Sequence, residues 1–208
     1  MKIQTFVTGI IGTNTYVLYD ENTKEAVLGD PAACPKKLMN FIQEEGLDMK
    51  AVLLTHGHFD HIMGIQDFRK VYDVPVYAGE REAALLQDAH WNQSDIYTNG
   101  YTFSDAVYVK DGEMLHIAGF DIQVFFTPGH TPGGVCYYLA DEGILFSGDT
   151  LFHHSVGRTD FEGGSMSDLV RGIEEKLLCL PDETKVLPGH MDATTIGEEK
   201  KYNPFLRK

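Results

Sequence analysis

The chain has 208 residues, 43% of them hydrophobic and 23% charged, with a formal net charge of −14. These proportions suit a globular chain long enough for one domain with a sizeable core. The acidic balance speaks against nucleic acid and against an anionic membrane surface, since both call for clustered Lys and Arg.

The first seven residues, MKIQTFV, lack the charged start, long apolar stretch and small-residue cleavage site of a signal peptide. No apolar run reaches membrane-spanning length. Cys34, Cys136 and Cys179 are odd in number and widely spaced, with no C-x-x-C pair, so free thiols in a reducing compartment are expected. The expectation is a cytoplasmic protein whose residues 1–208 form a single domain; oligomeric state is left open.

Taken in order, the elements repeat one pattern. Residues 26–30 (AVLGD) read as a short apolar strand ending in Asp30. Residues 35–45 place Leu38, Phe41 and Ile42 at helical spacing, with Pro35 near the start and Gly46 past the end. Residues 51–54 (AVLL) read as a buried strand leading into THGHFDH at 55–61. Residues 115–126 suggest a hairpin turning at 118–121. Its second arm runs through VFFTPGH to His130, and ILFSGD ends in Asp149. Ser165 and Asp168 have capping-box spacing ahead of a helical stripe of Leu169, Val170, Ile173 and Leu177, which Pro181 stops. KVLPGH then ends in His190, and a short helix and tail follow. Five apolar runs that each deliver Asp or His at the carboxyl end would converge on one rim of a sheet. Strands, helices and hairpins in this alternation predict a layered α/β or α+β domain.

The segment 55–61 concentrates the chemistry. His56 and His58 are two apart, so both project to one side of an extended backbone. Asp60 and His61 follow as the chain turns into a helix, and the turn aims them at a second point. Adjacent ionisable groups are costly to bury unless something pairs with them, and divalent metal is that partner. His130, Asp149 and His190 are the remote completions. Five His and two Asp, without thiolate, suit Zn²⁺ first, with Fe or Mn as alternatives. His153 and His154 read as loop residues, while His90 and His116 lack ligand spacing. Arg158 reads as an ion pair with Asp160, a substrate-carboxylate contact being the alternative.

HGHFDH at 56–61, followed by His130, Asp149 and His190, resembles the metallo-β-lactamase superfamily. TPGHTPG at 127–133, GDTLF at 148–152 and GRTDF at 157–161 are similar to its glyoxalase II-like branch, and the likeness runs over residues 30–203. It implies the superfamily's αβ/βα four-layer sandwich. It further implies that His56, His58 and His130 bind one ion, that Asp60, His61 and His190 bind a second, and that Asp149 bridges the two. By the same likeness Asp30 supports the ligand-bearing loop. Full-length glyoxalase II adds a helical glutathione-binding domain; with eighteen positions after His190 in a chain of 208, none is expected here.

The activity implied is hydrolysis of a small-molecule thioester, S-D-lactoylglutathione or a related acyl thiol, by a hydroxide bridging two divalent transition-metal ions. Asp60 and Asp149 would be the catalytic carboxylates. A persulfide dioxygenase with one iron on His56, His130 and Asp149 resembles the same motifs, and a lactone or ester hydrolase would use the same ligands. No convincing G-x-S-x-G nucleophile elbow occurs.

Overall fold

The structure, a computed structural model, describes residues 1–206. Its first sheet runs in chain order: β1 (Lys2–Thr8), β2 (Thr13–Tyr19), β3 (Glu25–Gly29), β4 (Asp48–Leu53), β5 (Val76–Gly79) and β6 (Val107–Val109). β1, β2 and β3 pair antiparallel, and β3 to β6 pair parallel. Parallel neighbours need crossovers. These carry α1 (Lys36–Glu44), then α2 (Phe59–Ile62) and α3 (Ile65–Arg69), then α4 (Ala83–Leu86) and α5 (Ser94–Tyr97). The second sheet contains β7 (Met114–Ile117), β8 (Phe120–Phe126), β9 (Val135–Leu139) and β10 (Ile144–Gly148). A ribbon of β11 (Leu151–Phe152) and β12 (Ser155–Val156) and a helix α6 (Met166–Gly172) precede β13 (Lys185–Pro188), β14 (Thr194–Thr195) and α7 (Ile196–Tyr202). The order across that sheet is β14-β13-β10-β9-β8-β7, with β13 parallel to β10.

Period-two alternation assigns each strand residue to a layer. Tyr16, Leu18, Val27, Ala51 and Leu53 point inward and meet Val124, Val135, Tyr137, Phe146 and Leu187 of the other sheet. Their neighbours Val17, Leu28, Val52 and Leu54 point outward onto Leu38, Ile42, Ile62, Ile65 and Phe68 of the helices. On the far side Cys136, Tyr138, Leu145 and Val186 pack against Leu169, Ile173, Leu177 and Ile196. Helix, sheet, sheet and helix make the four-layer αβ/βα sandwich.

Local details refine the sequence expectations. The helix expected over 35–45 begins after Pro35 and ends at Glu45, with Gly46 at φ +64°. The hairpin turns on Ala118 and Gly119 alone, both at positive φ, so Phe120 and Asp121 belong to β8 and pair with Ile117 and His116. A primed two-residue turn matches the strand twist, which is why the hairpin closes two residues early. Ser165 caps α6 by accepting from the Asp168 amide, and the stripe continues through a π-helical turn, Ile173–Leu177. The single rim expected for the five ligand-bearing runs is instead built by two sheets. β3 and β4 come from the first, and β8, β10 and β13 from the second.

One set of bonds joins the sheets beside that rim. Tyr16 Oη donates to the Pro188 carbonyl at 2.7 Å, and Asn14 Nδ2 donates to the same oxygen at 3.0 Å. Tyr16→Phe removes one of two donors from a buried carbonyl, so a loss of about 1 kcal/mol is expected. Urea titration should show a lower midpoint at unchanged slope.

Candidate metal centre

All seven sequence-predicted ligands meet where the two sheets end together. β4 runs out at Leu53, and the chain continues extended to His58, which caps α2; Asp60 and His61 lie in that short helix. His130 follows β8 by four residues, Asp149 follows β10 directly, and His190 follows β13 by two. Two glycines allow the approach. A Cβ on Gly189 would strike Asp149 Oδ1 and lie 2.6 Å from His61 Cε1, and a Cβ on Gly148 would strike the Thr55 side chain.

The donor atoms fall into two trios, His56 with His58 and His130, and Asp60 with His61 and His190. His58 Nδ1 and His130 Nε2 stand 2.9 Å apart, a separation that demands a proton or cation near them. In the other trio Asp60 Oδ2 lies 3.3 Å from His61 Nε2 and 3.2 Å from His190 Nε2. Asp149 reaches both trios. Its Oδ1 is 3.4 Å from His61 Nε2, and its Oδ2 is 3.6 Å from both His130 Nε2 and His190 Nε2.

Supporting bonds fix which ring nitrogens face inward. His61 Nδ1 donates to Asp30 Oδ2 at 2.8 Å, and His130 Nδ1 donates to the Arg158 carbonyl at 2.8 Å. Thr55 Oγ1 donates to Asp30 Oδ2 at 2.6 Å, which leaves it to accept from His56 Nδ1 at 3.2 Å. Thr13 Oγ1 donates to Asp60 Oδ2 at 2.8 Å. The inward atoms His56 Nε2, His61 Nε2 and Asp149 Oδ1 are buried and have no hydrogen-bond partner. Buried polar atoms rarely stay unpaired. Three of them aimed into one space, with only nitrogen and oxygen donors around it, fit divalent transition-metal ions.

Electrostatics agree with that fit. Burial, reinforced by His130, lowers the His58 pKa to about 3, and burial also holds His56 and His130 below the ordinary imidazole range. Neutral rings keep the lone pairs a metal needs. Burial opposes a charge on His61, but Asp60, Asp30 and Asp149 outweigh it and raise its pKa. Burial likewise opposes the charged form of Asp60, yet His61 and His190 hold its carboxyl far below the usual range.

The remaining sequence-predicted residues lie nearby. Arg158 donates from Nε and one terminal nitrogen to the two Asp160 oxygens, both at 2.7 Å, and its guanidinium lies 4.1 Å above the Phe161 ring. That pair holds the Asp160 pKa at about 2. His153 and His154 occupy the exposed turn between β11 and β12 near Glu199, whose oxygens already accept from Thr194, Asn203 and the His154 amide.

Sequence reasoning missed two contributors. Thr13 comes from the β1–β2 hairpin, which carries no motif. Glu82 is fully buried and accepts from the Gly57 amide at 2.8 Å and the Gly133 amide at 2.7 Å. Gly57 lies between His56 and His58 and Gly133 three residues past His130, so one carboxylate fastens both ligand loops. Burial pushes the Glu82 pKa up against these donors. A lone Glu in a segment without motif gives no sequence signal for such a role.

The family model of the metallo-beta-lactamase superfamily matches residues 8–190. The probable metallo-hydrolase YqgX of Bacillus subtilis is 40% identical over 99% of this chain and 98% of its own. The hydroxyacylglutathione hydrolase GloC of Haemophilus influenzae is 32% identical over the same shares, 99% and 98%. Among solved structures, BLEG-1, described as a B3 metallo-beta-lactamase, is 42% identical with a TM-score of 0.93 over the whole of both chains. TTHA1623, solved in a di-iron-bound form, is 35% identical with a TM-score of 0.86 over 98% of this chain and all of its own.

Two outcomes follow from the geometry. Loading with Zn²⁺ at 100 to 1,000 times Kd should stabilise the fold by roughly 3–4 kcal/mol over chelator-treated protein. Calorimetric melting reads this, and coincident apo and holo transitions would contradict it. Glu82→Ala should cost about 2–5 kcal/mol by leaving two buried amides unpaired. It should also speed metal loss to a chelator, with Glu82→Gln, which keeps one acceptor oxygen, in between.

Proposed function

Because the chain belongs to the metallo-beta-lactamase superfamily, we propose that it is a dinuclear metal-dependent hydrolase of a thioester, S-D-lactoylglutathione or a related acyl thiol. The observation that carries this reading is the pair of donor trios with Asp149 between them, where three buried inward atoms have no hydrogen-bond partner among the described residues. His56, His58 and His130 would hold one ion, Asp60, His61 and His190 the other, and Asp149 both. Two bound divalent ions supply a water whose pKa falls from about 16 toward about 7, together with a Lewis acid for the acyl carbonyl.

The chain's own residues then do the positioning. Asp30 and the Arg158 carbonyl keep His61 and His130 in the tautomer that presents Nε2 inward. Thr13 holds Asp60 Oδ2, the oxygen that faces His61 Nε2 and His190 Nε2. No general acid is required for departure, because a thiolate of pKa about 8.5 leaves unaided near neutral pH. Nor, among the described residues, does a cysteine line the cleft as a nucleophile. Cys136 is fully buried and bonded to Thr127 and the Ser147 carbonyl, and burial raises its pKa to about 11.

The likeness to GloC supports the thioester. The likeness to BLEG-1 favours a second reading, opening of a β-lactam amide, which differs in needing a proton for its nitrogen leaving group. Zn²⁺ is the first choice of metal on donor chemistry, and the di-iron form of TTHA1623 makes iron the leading alternative.

The test combines metal content with three substrates. About two transition-metal ions per chain are expected by elemental analysis, as dinuclear sites require. Asp60→Ala and His61→Ala should each lower that number. With S-D-lactoylglutathione, thiol release should proceed without oxygen and fall at least about 100-fold in Asp149→Ala. Oxygen uptake with glutathione persulfide, one iron per chain and no anaerobic thiol release would replace the hydrolase by an oxygenase. Turnover of a chromogenic cephalosporin in place of the thioester would favour the β-lactam reading.

A further inference from the structure

The cleft above the candidate centre encloses about 450 Å³. Its floor is formed by the inward histidines and aspartates. Its walls are mostly apolar, with Ile11, Tyr97, Phe152, Val156, Phe161 and Met191 outnumbering Gln93, Ser155 and Arg158. Three of these leave much of their surface in water, Ile11 at 50%, Tyr97 at 53% and Met191 at 55% exposed. Exposed apolar side chains gathered at the mouth of a site mark a surface that a ligand covers. Each projects from a defined backbone position. Ile11 sits in a turn between Gly9 and Gly12, both at positive φ; Met191 is itself at φ +66°; and Tyr97 stacks on Phe59 with ring centroids 4.5 Å apart.

Charge in the cleft points the same way. Among the described residues that line it there is one Arg and no Lys. The Arg is Arg158, whose guanidinium is occupied by both oxygens of Asp160 and by the Phe161 ring. A glutathione conjugate brings two carboxylates, and an acyl-coenzyme A several phosphates. In a protein of net charge −14 either would meet no unpaired Arg or Lys among the described lining residues, while the ions in the floor would serve the acyl carbonyl rather than the headgroup.

We propose that the thioester hydrolysed here carries an apolar acyl chain, received by Ile11, Tyr97 and Met191, on a thiol portion without net negative charge. This rests on the thioester reading and narrows it to the related acyl thiols, with S-D-lactoylglutathione turned over less efficiently. The apolar walls reward each methylene removed from water, while the lone clamped arginine leaves an anionic headgroup solvated outside the cleft.

The test uses purified metal-loaded protein and two thioethers with the same octyl tail, S-octyl-N-acetylcysteamine and S-octylglutathione. Calorimetry should find the uncharged thioether about tenfold tighter at low salt, the gap closing as salt screens repulsion. Ile11→Ala with Met191→Ala should weaken both ligands by about tenfold. In turnover, kcat/KM for N-acetylcysteamine thioesters should climb about 2- to 4-fold per methylene from acetyl to octanoyl. Equal or tighter binding of S-octylglutathione, loss of that binding in Arg158→Ala, or a flat acyl series would overturn the proposal with the hydrolase intact. If the uncharged thioether binds as expected but no thioester is hydrolysed, the thioester reading itself falls.

Discussion

The buried carboxylate of Asp30 is the interaction on which the rest of the site depends. Its Oδ1 accepts from the Thr55 amide at 2.8 Å, and its Oδ2 accepts from Thr55 Oγ1 and from His61 Nδ1. Its backbone is equally engaged, the amide donating to the Leu53 carbonyl and the carbonyl accepting from Thr15 Oγ1. Asp30 holds this position at φ +44°, a conformation that ordinary side chains avoid. Such strain persists where the surroundings over-determine it, and six hydrogen bonds do so here, counting that from the Ala32 amide to the Asp30 carbonyl. Through them the end of β3, the exit of β4 and the second donor trio become one rigid unit.

Around that unit the protein buries an assembly that would be unfavourable alone. Five histidines and two aspartates gather at this rim, and three of their inward atoms have no hydrogen-bond partner among the described residues. Folding a chain around such a concentration of polar groups costs stability that the three apolar clusters must supply. The cations that the donor set fits would neutralise the aspartates and occupy the orphaned lone pairs together. Glu82 shows the same economy one layer further out, where one buried carboxylate satisfies two amides and aligns two loops that never touch in sequence.

Much of this was legible in the sequence, for physical reasons. His56 and His58 are readable because a strand exit keeps alternate side chains on one side, and Asp60 and His61 because a helix follows at once. His130, Asp149 and His190 are readable because each closes an apolar run at a turn. Asp30 is readable for the same reason, although its strained φ is not. What escaped were contacts set by tertiary packing alone. Thr13 and Glu82 belong to segments without periodicity or motif, and they act through partners 47 and 25 positions away. The division of the rim between two sheets escaped as well, since an apolar run gives its strand but not the sheet that the strand joins. Arg158 was legible as the partner of Asp160, while its carbonyl's hold on His130 is a backbone matter that no side-chain pattern encodes.

The bonds from Asn14 and Tyr16 to Pro188 span 174 and 172 positions of chain. Each sheet can organise from hairpins and crossovers of modest sequence separation, but the rim exists only once these distant partners have met. Contacts of such separation carry the largest loop-closure cost. The second donor trio, which draws Asp60 and His61 from the exit of one sheet and His190 from the end of the other, exists only in that joined state. A cation that recognises only the completed rim cannot speed the chain toward its fold; it slows departure from it. Its gift to the protein is longevity, measured as an unfolding rate, more than ease of folding.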